Sequence, residues 1–242
     1  MSLLERHHIE EIRALREKKY RYEKMLFWAE GERTVLSLAE AGLKPSFLVV
    51  REEFPVPDAL SRFSVLYCRK KDENRIKATQ SFPGISGVFE IPPPRPLKNP
   101  RLIALDKISD PGNLGAIFRA AVWFGFHDFI LDEETVDPYH EKVVRASMGS
   151  LGKINCLRTP DLAETLLQYR EKGYTLTATD LKGENLKDSL PSPMILVLGN
   201  EAHGVSQNVL EICSKKIRIP GSGIESLNVS VAAGILMFEM AK

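Results

Sequence analysis

Three short segments of this 242-residue chain combine glycine, a few polar side chains and an apolar run in the manner of a binding loop. The first, DKISDPGNLGAIFR, covers residues 106–119. Gly112 and Gly115 permit tight backbone, and Asn113 is a candidate N-cap. Arg119 lies one to two turns into the helix that follows, where a guanidinium can reach an anion beside a sheet edge. The second, LGNEAHGVS, covers 198–206. Gly199 lets the backbone bend or a ligand approach closely. Glu201 sets a carboxylate at a strand end, where charge is costly unless it is paired or used. A lone histidine with no placed partner, such as His203, reads as structural more readily than as a general base. The third, IPGSGIESLNVSV, covers 219–231. Pro220, Gly221 and Gly223 shape a loop, and Ser226 to Ser230 open an apolar helix whose N–H groups can hold a carboxylate or phosphate. A capped βα turn, a charged turn and a helix start are the plainer readings of the same residues.

Several chemistries lose their usual signatures. GSGIES is a truncated GxGxxG with Ser226 in place of the third glycine, and it lies near the C-terminus, whereas a dinucleotide site opens the first βαβ unit. There is no GxxxxGK[ST], HExxH, GxSxG or H-x-E with PCxxC, which argues against NTPase, zinc protease, hydrolase and deaminase readings. No metal is expected.

The elements that must position these segments follow from hydrophobic periodicity. Residues 91–100, IPPPRPLKNP, hold five prolines and cannot be an element interior, so they predict an extended linker. Before them, helices over 8–24, 31–41 and 69–79 alternate with strands at 46–50, 64–67 and 84–90. After them, strands at 102–105, 129–131, 154–157, 175–178, 194–198 and 216–219 alternate with helices over 115–123, 139–146, 162–172 and 227–241. Short apolar strands separated by helices predict an α/β fold with a parallel sheet covered on both faces. Ligands in such sheets sit beyond the carboxyl ends of strands, where all three segments fall. The organisation expected is a small domain over 1–90, a linker over 91–100 and a second domain over 101–242.

Composition bounds the rest. At 43% apolar and 27% charged residues the chain can bury a core without a metal or disulfide staple. No run approaches ~18 apolar residues, so a membrane span is not expected. The charged N-terminus lacks a signal-peptide segment, and the three cysteines are far apart, which together predict a cytoplasmic protein with reduced thiols. Residues 1–98 carry 18 Lys and Arg against 14 Asp and Glu. That excess fits an anionic partner such as RNA, and it fits ordinary solvation too.

Taken in order, the three segments resemble the motifs of the SpoU/TrmH class of the SPOUT superfamily, S-adenosyl-L-methionine-dependent RNA ribose 2′-O-methyltransferases. The matching residues are NLGAIFRAA from Asn113, LGNE from Leu198 with Gly204, and Ile219-Pro220 with SLNVSVA from Ser226; RASMGSL from Arg145 also resembles the family. Residues 29–42 and GISGVFE resemble, more loosely, an L30e-like substrate-binding domain. The resemblance implies a deep trefoil knot, a homodimer with its active site between subunits, and a structured RNA substrate, ribosomal or transfer. It implies Arg119 as the essential arginine, with Asn113, Glu201, Ser226 and Asn228 around it. Backbone at Gly199, Ile219 and Leu227 would hold the cofactor, with Thr179 lining the same pocket. Arg69, Lys70, Lys71, Arg75 and Lys77 are the candidate RNA contacts of the first domain. The competing functions are a catalytically inactive RNA-binding protein and a base methyltransferase sharing the knot.

Overall fold

The prolines at 91–100 divide two sheets of different character. A computed structural model of the chain describes residues 2–186, 191–222 and 226–241. In chain order its elements are β1 (Ser2–Leu3), α1 (Arg6–Ala14), α2 (Lys18–Lys24), β2 (Leu26–Glu30), α3 (Glu32–Glu40), β3 (Pro45–Arg51), β4 (Val65–Cys68), α4 (Lys70–Ile76) and β5 (Ile85–Glu90). There follow β6 (Arg101–Asp106), α5 (Pro111–Trp123), β7 (Asp128–Asp132), α6 (Glu141–Ala146), β8 (Asn155–Thr159), α7 (Leu162–Glu171), β9 (Thr175–Asn185), β10 (Met194–Gly199), α8 (Gln207–Ile212), β11 (Lys215–Arg218) and α9 (Val229–Ala241).

The first sheet has the order β1-β4-β3-β5-β2, parallel on the β1, β4 and β3 side and antiparallel where β5 joins β3 and β2. Ile9, Ile12 and Leu15 seat α1 on a core of Trp28, Val49, Leu66, Ile76 and Val88. The second sheet, β11-β9-β10-β6-β7-β8, is parallel throughout. Its central strands, RLIALD and MILVLG, are almost wholly buried, as strands covered on both faces must be. This is the α/β fold with a parallel sheet that the apolar runs predict.

Several elements depart from the sequence expectation. The predicted helix over 8–24 is two helices, because the Arg21 Nη1 donates to the carbonyl oxygens of Leu15 and Arg16, at 2.8 Å each. That satisfies the open end of α1, which interior helical geometry would have closed. Strand β2 and helix α8 have no counterpart among the expected elements, and β9 runs seven residues beyond the predicted end at 178.

The chain divides into two compact units, Met1–Pro93 with Asp137–Gly152, and Pro94–Val136 with Lys153–Lys242. The stretch around α6, expected within the second domain, therefore packs into the first unit. The reason is an ion pair: the Arg21 Nε and Nη2 donate to the Asp137 Oδ2 at 2.8 and 2.5 Å, and each side chain is only 3% exposed. The Tyr22 hydroxyl and the Tyr139 N–H donate to the other oxygen, so the buried carboxylate is fully satisfied. After α6 the backbone turns through Met148 and Gly149, both at positive φ. A Cβ at Gly149 would overlap the Ser37 side chain, and one at Gly152 would lie 2.7 Å from the Ala41 Cβ, so these glycines let the stretch lie directly on α3.

Candidate active site

The site is built where β6 and β10 end side by side, with Gly199 paired in register with Asp106. The N-cap of α5 is Asp110, not Asn113: its carboxylate accepts the Asn113 N–H at 2.8 Å, with Pro111 at the first helical position. That correction matters chemically, because it frees the Asn113 carboxamide. Its Nδ2 donates to the Glu201 Oε1 at 2.8 Å, and its Oδ1 accepts from the Asn228 Nδ2 at 2.9 Å. The Asn228 Oδ1 in turn accepts from the Ser230 N–H and hydroxyl at 2.9 and 2.6 Å. One residue from each of the three segments thus joins a single hydrogen-bonded chain. The carboxylate at one end fixes the direction of every amide in it.

Each member is held by its own element. After β10 the chain turns back at once, with Asn200 and Gly204 exchanging both backbone hydrogen bonds at 2.9 Å. A Cβ at Gly199 would overlap the Gly204 and Val205 backbone, so only glycine ends this strand. The Asn200 side chain bonds the Lys107 carbonyl and accepts from the Ala202 and His203 N–H groups, which holds Glu201 at the tip of the turn. The buried Asp106 anchors the far side by accepting the Ser206 N–H and hydroxyl at 2.6 Å each. The Ser109 hydroxyl adds a longer bond to Glu201, at 3.4 Å. Asp110, Ser109 and Ser206 are the contributors that the motifs do not single out, and Asn200 of LGNE acts by holding the turn. The Asp-Pro pair ahead of the helix is the available signal for the first of them.

The remaining site residues lie outside this chain of bonds. Arg119 is exposed, and its guanidinium makes no hydrogen bond or ion pair with a described residue. Six positions along α5 from Asn113, it is displaced by about 9 Å of rise and faces another direction. Ser226 is exposed, as is Leu227 at 42%, and Ile219 is half-buried just past β11. The Thr179 hydroxyl donates to the Val197 carbonyl at 3.2 Å, which ties β9 to β10. Gly223 lies outside the described residues. The His203 ring has no hydrogen-bond partner among the described residues, so nothing there orients it as a base.

Among the basic residues of the first unit, Arg69, Lys70 and Lys71 are exposed. Arg75 pairs with Asp72 at 3.1 Å, and the Lys77 Nζ donates to the Gln80 carbonyl at 2.5 Å. Among the described residues no group of three or more His, Cys, Asp or Glu could hold a metal, and no helix is long and apolar enough to cross a membrane.

Comparison with known proteins agrees with this geometry. Residues 6–80 match the MRM3-like substrate binding domain. A protein from Porphyromonas gingivalis described as an RNA methyltransferase of the TrmH family has a similar structure, with a TM-score of 0.87, 32% identity, and 99% of this chain and 98% of that one covered. An AdoMet-bound rRNA methyltransferase from Sinorhizobium meliloti follows with a TM-score of 0.85 and 31% identity over 99% and 96% of the two chains. A solved RNA 2′-O ribose methyltransferase gives 0.84 at 26% identity over 99% and 98%. An uncharacterised tRNA/rRNA methyltransferase from Mycolicibacterium gilvum is 38% identical over 58% of this chain and 46% of its own length. The chain therefore spans about half the length of the curated relatives it matches. Residues 100–238, more than half of the chain, match the SpoU rRNA Methylase family, and the chain belongs to that family.

Proposed function

We propose that this chain transfers a methyl group from S-adenosyl-L-methionine to a ribose 2′-hydroxyl of ribosomal or transfer RNA. The observation that carries the reading is the Glu201–Asn113–Asn228 chain, which locks the start of α5, the turn after β10 and the approach to α9 into one arrangement. Such rigidity suits a reaction whose rate comes largely from alignment. The ribose specificity rests on the motif resemblance and on a relative that is an RNA 2′-O ribose methyltransferase.

The residues fit the cofactor. The exposed Leu227 and half-buried Ile219 offer apolar surface suited to an adenine, and Gly199, whose Cα packs against the Gly204 and Val205 backbone, would contribute main-chain polar groups. When bound, the cofactor supplies a methyl group on a sulfonium centre. Arg119, exposed and without a partner among the described residues, would clamp the phosphate beside the acceptor ribose and orient the hydroxyl. A guanidinium stays protonated, so in this reading the 2′ proton leaves to a phosphate oxygen or to solvent. Ser226 stands exposed beside Asn228 and is assigned to the same substrate side.

The active assembly is a homodimer in this proposal. Helix α9 is apolar on nearly every face, and Trp123 at 84%, Val231 at 50% and Ile235 at 37% leave apolar surface in water. The same reading includes a deep trefoil knot, supported by the return of α9 from the β11 edge to pack on α5 and β10, and action in the cytoplasm.

Incubation with labelled S-adenosyl-L-methionine and RNA from a strain lacking the protein tests the proposal. Incorporated label at sites resistant to alkaline cleavage supports ribose methylation, because the modification removes the hydroxyl that cleavage needs. Label without resistance means base methylation. Arg119→Lys keeps the charge and loses the fork; full turnover by that variant with normal RNA affinity would remove the clamp.

A further inference from the structure

We propose a second RNA contact, a phosphate-binding cavity in the N-terminal unit centred on Arg145. It rests on the reading of RNA as substrate and deepens it. The cavity is about 690 Å³ and is lined by Ala78, Thr79, Gln80, Ser81 and Arg145.

The stretch RASMGSL accounts for itself structurally at every functional-looking position except one. Ser147 is fully buried and donates to the Val144 carbonyl at 2.8 Å. Met148 and Gly149 make the left-handed turn, and Gly149 and Gly152 allow the approach to α3. Leu151 is in the core. Arg145 has no structural part of this kind. It is half-buried in the last turn of α6 and lines the cavity, and while its carbonyl closes the helix end, its guanidinium makes no hydrogen bond, ion pair or ring contact with any described residue. A guanidinium held at a cavity wall without a counter-ion is suited to an incoming anion, and its planar fork matches a phosphate.

The opposite wall is pre-set. The carboxylate of the buried Glu30 accepts the Ala78 N–H at 2.7 Å and the Thr79 hydroxyl at 3.3 Å. The Arg16 Nη2 donates to the Lys77 carbonyl at 2.8 Å, and the Lys77 Nζ donates to the Gln80 carbonyl at 2.5 Å. Two cations therefore brace the loop while Arg145 faces it from α6. The one carboxylate bonded to the loop is buried behind it and already occupied by donors. Positive charge with hydroxyl and amide groups at the rim favours a phosphodiester, and the cavity is distinct from the exposed residues Arg69, Lys70 and Lys71.

The test uses RNA that the wild-type chain methylates, with binding followed by fluorescence anisotropy at several salt concentrations. Arg145→Gln should weaken binding by about tenfold or more, the effect of losing a charged hydrogen-bonded contact. It should also reduce the slope of log affinity against log salt by about 0.7–0.9, one phosphate contact. Arg145→Lys should keep the slope and recover only part of the affinity. Gln80→Glu, at an exposed position, should weaken binding by like charge without disturbing the fold. Cofactor binding should be unchanged in all three variants. Wild-type affinity and slope in Arg145→Gln and Gln80→Glu together would overturn the cavity and leave the methyltransferase reading standing. A wild-type chain that neither binds nor methylates RNA would overturn that reading, and this inference with it.

Discussion

The Arg21–Asp137 pair allows a prediction whose size follows from its surroundings. Asp137→Asn keeps the shape of the side chain and removes its charge, while the Arg21 guanidinium remains 3% exposed among groups arranged for a carboxylate. The substituted amide also turns an NH2 group toward one of two donor sets, either the Arg21 Nε and Nη2 or the Tyr22 hydroxyl and Tyr139 N–H. Breaking one partner out of a buried pair costs about 3–5 kcal/mol. At a urea m-value of about 1.5 kcal/mol/M, the unfolding midpoint of the first unit falls by about 2–3 M. The chain offers a clean probe, since it has two tryptophans, of which Trp28 is buried in the first unit and Trp123 is 84% exposed. In a Trp123→Phe background the emission of Trp28 follows the first unit alone. The double variant Arg21→Met with Asp137→Leu should recover only part of the midpoint, because it leaves no charge buried but strands the Leu15 and Arg16 carbonyls that Arg21 satisfies. A midpoint for Asp137→Asn within about 0.5 M of its parent would refute the account of why 137–152 joins this unit.

Three further outcomes are expected. Asn113→Asp sets a second carboxylate against Glu201 across a contact now 2.8 Å long, so initial rates of RNA methylation should fall at least about 100-fold through lost alignment; a rate within about threefold of wild type would detach the amide chain from catalysis. Burial, with help from the Arg21 charge, lowers the His140 pKa from its ordinary 6.5, and its Nδ1 accepts the Lys142 N–H as the cap of α6. The unfolded chain therefore takes up the proton first, and stability present above about pH 6.5 declines as pH falls through the window below it. His140→Asn keeps a cap acceptor and should flatten that decline in chemical denaturation between about pH 7 and 5, whereas an unchanged slope would assign it to other groups. Burial pushes the thiols of Cys68 up to about 12 and Cys213 up to about 11, so neither should react with a disulfide reagent at about pH 8 until the chain unfolds; prompt modification of both in the native protein would contradict their placement.

Legibility in the sequence follows how local each cause is. The parallel sheet is readable because MILVLG and LIAL are apolar without alternation, a pattern that burial on both faces imposes. Strand β2 is hidden in LFWAEGER, where Glu30 reads as surface although its carboxylate is buried to hold the backbone at Ala78. The break between α1 and α2 depends on Arg21 reaching back to Leu15 and Arg16, and periodicity carries no trace of a side chain closing a helix. The placement of α6 is beyond reach for the same reason: Asp137 and Arg21 are 116 positions apart, and each alone is an ordinary surface residue type.

At the candidate site the identities are legible and the bonding is not. Asn113, Glu201 and Asn228 stand out by type and position, yet three polar residues on three loops need not meet. What joins them is the shift of one cap. Had Asn113 capped α5, its side-chain oxygen would have been turned onto the helix's own N–H groups, and Asn228 would have lost its acceptor. With Asp110 in that position, α5 starts at Pro111 and carries Asn113 into its first turn, facing Glu201 and Asn228. Asp110→Ala therefore tests the site as well as the helix. The helix loses about 1 kcal/mol of capping, while Asn113 regains the option of capping in its place, and methylation should fall by more than the stability loss alone predicts.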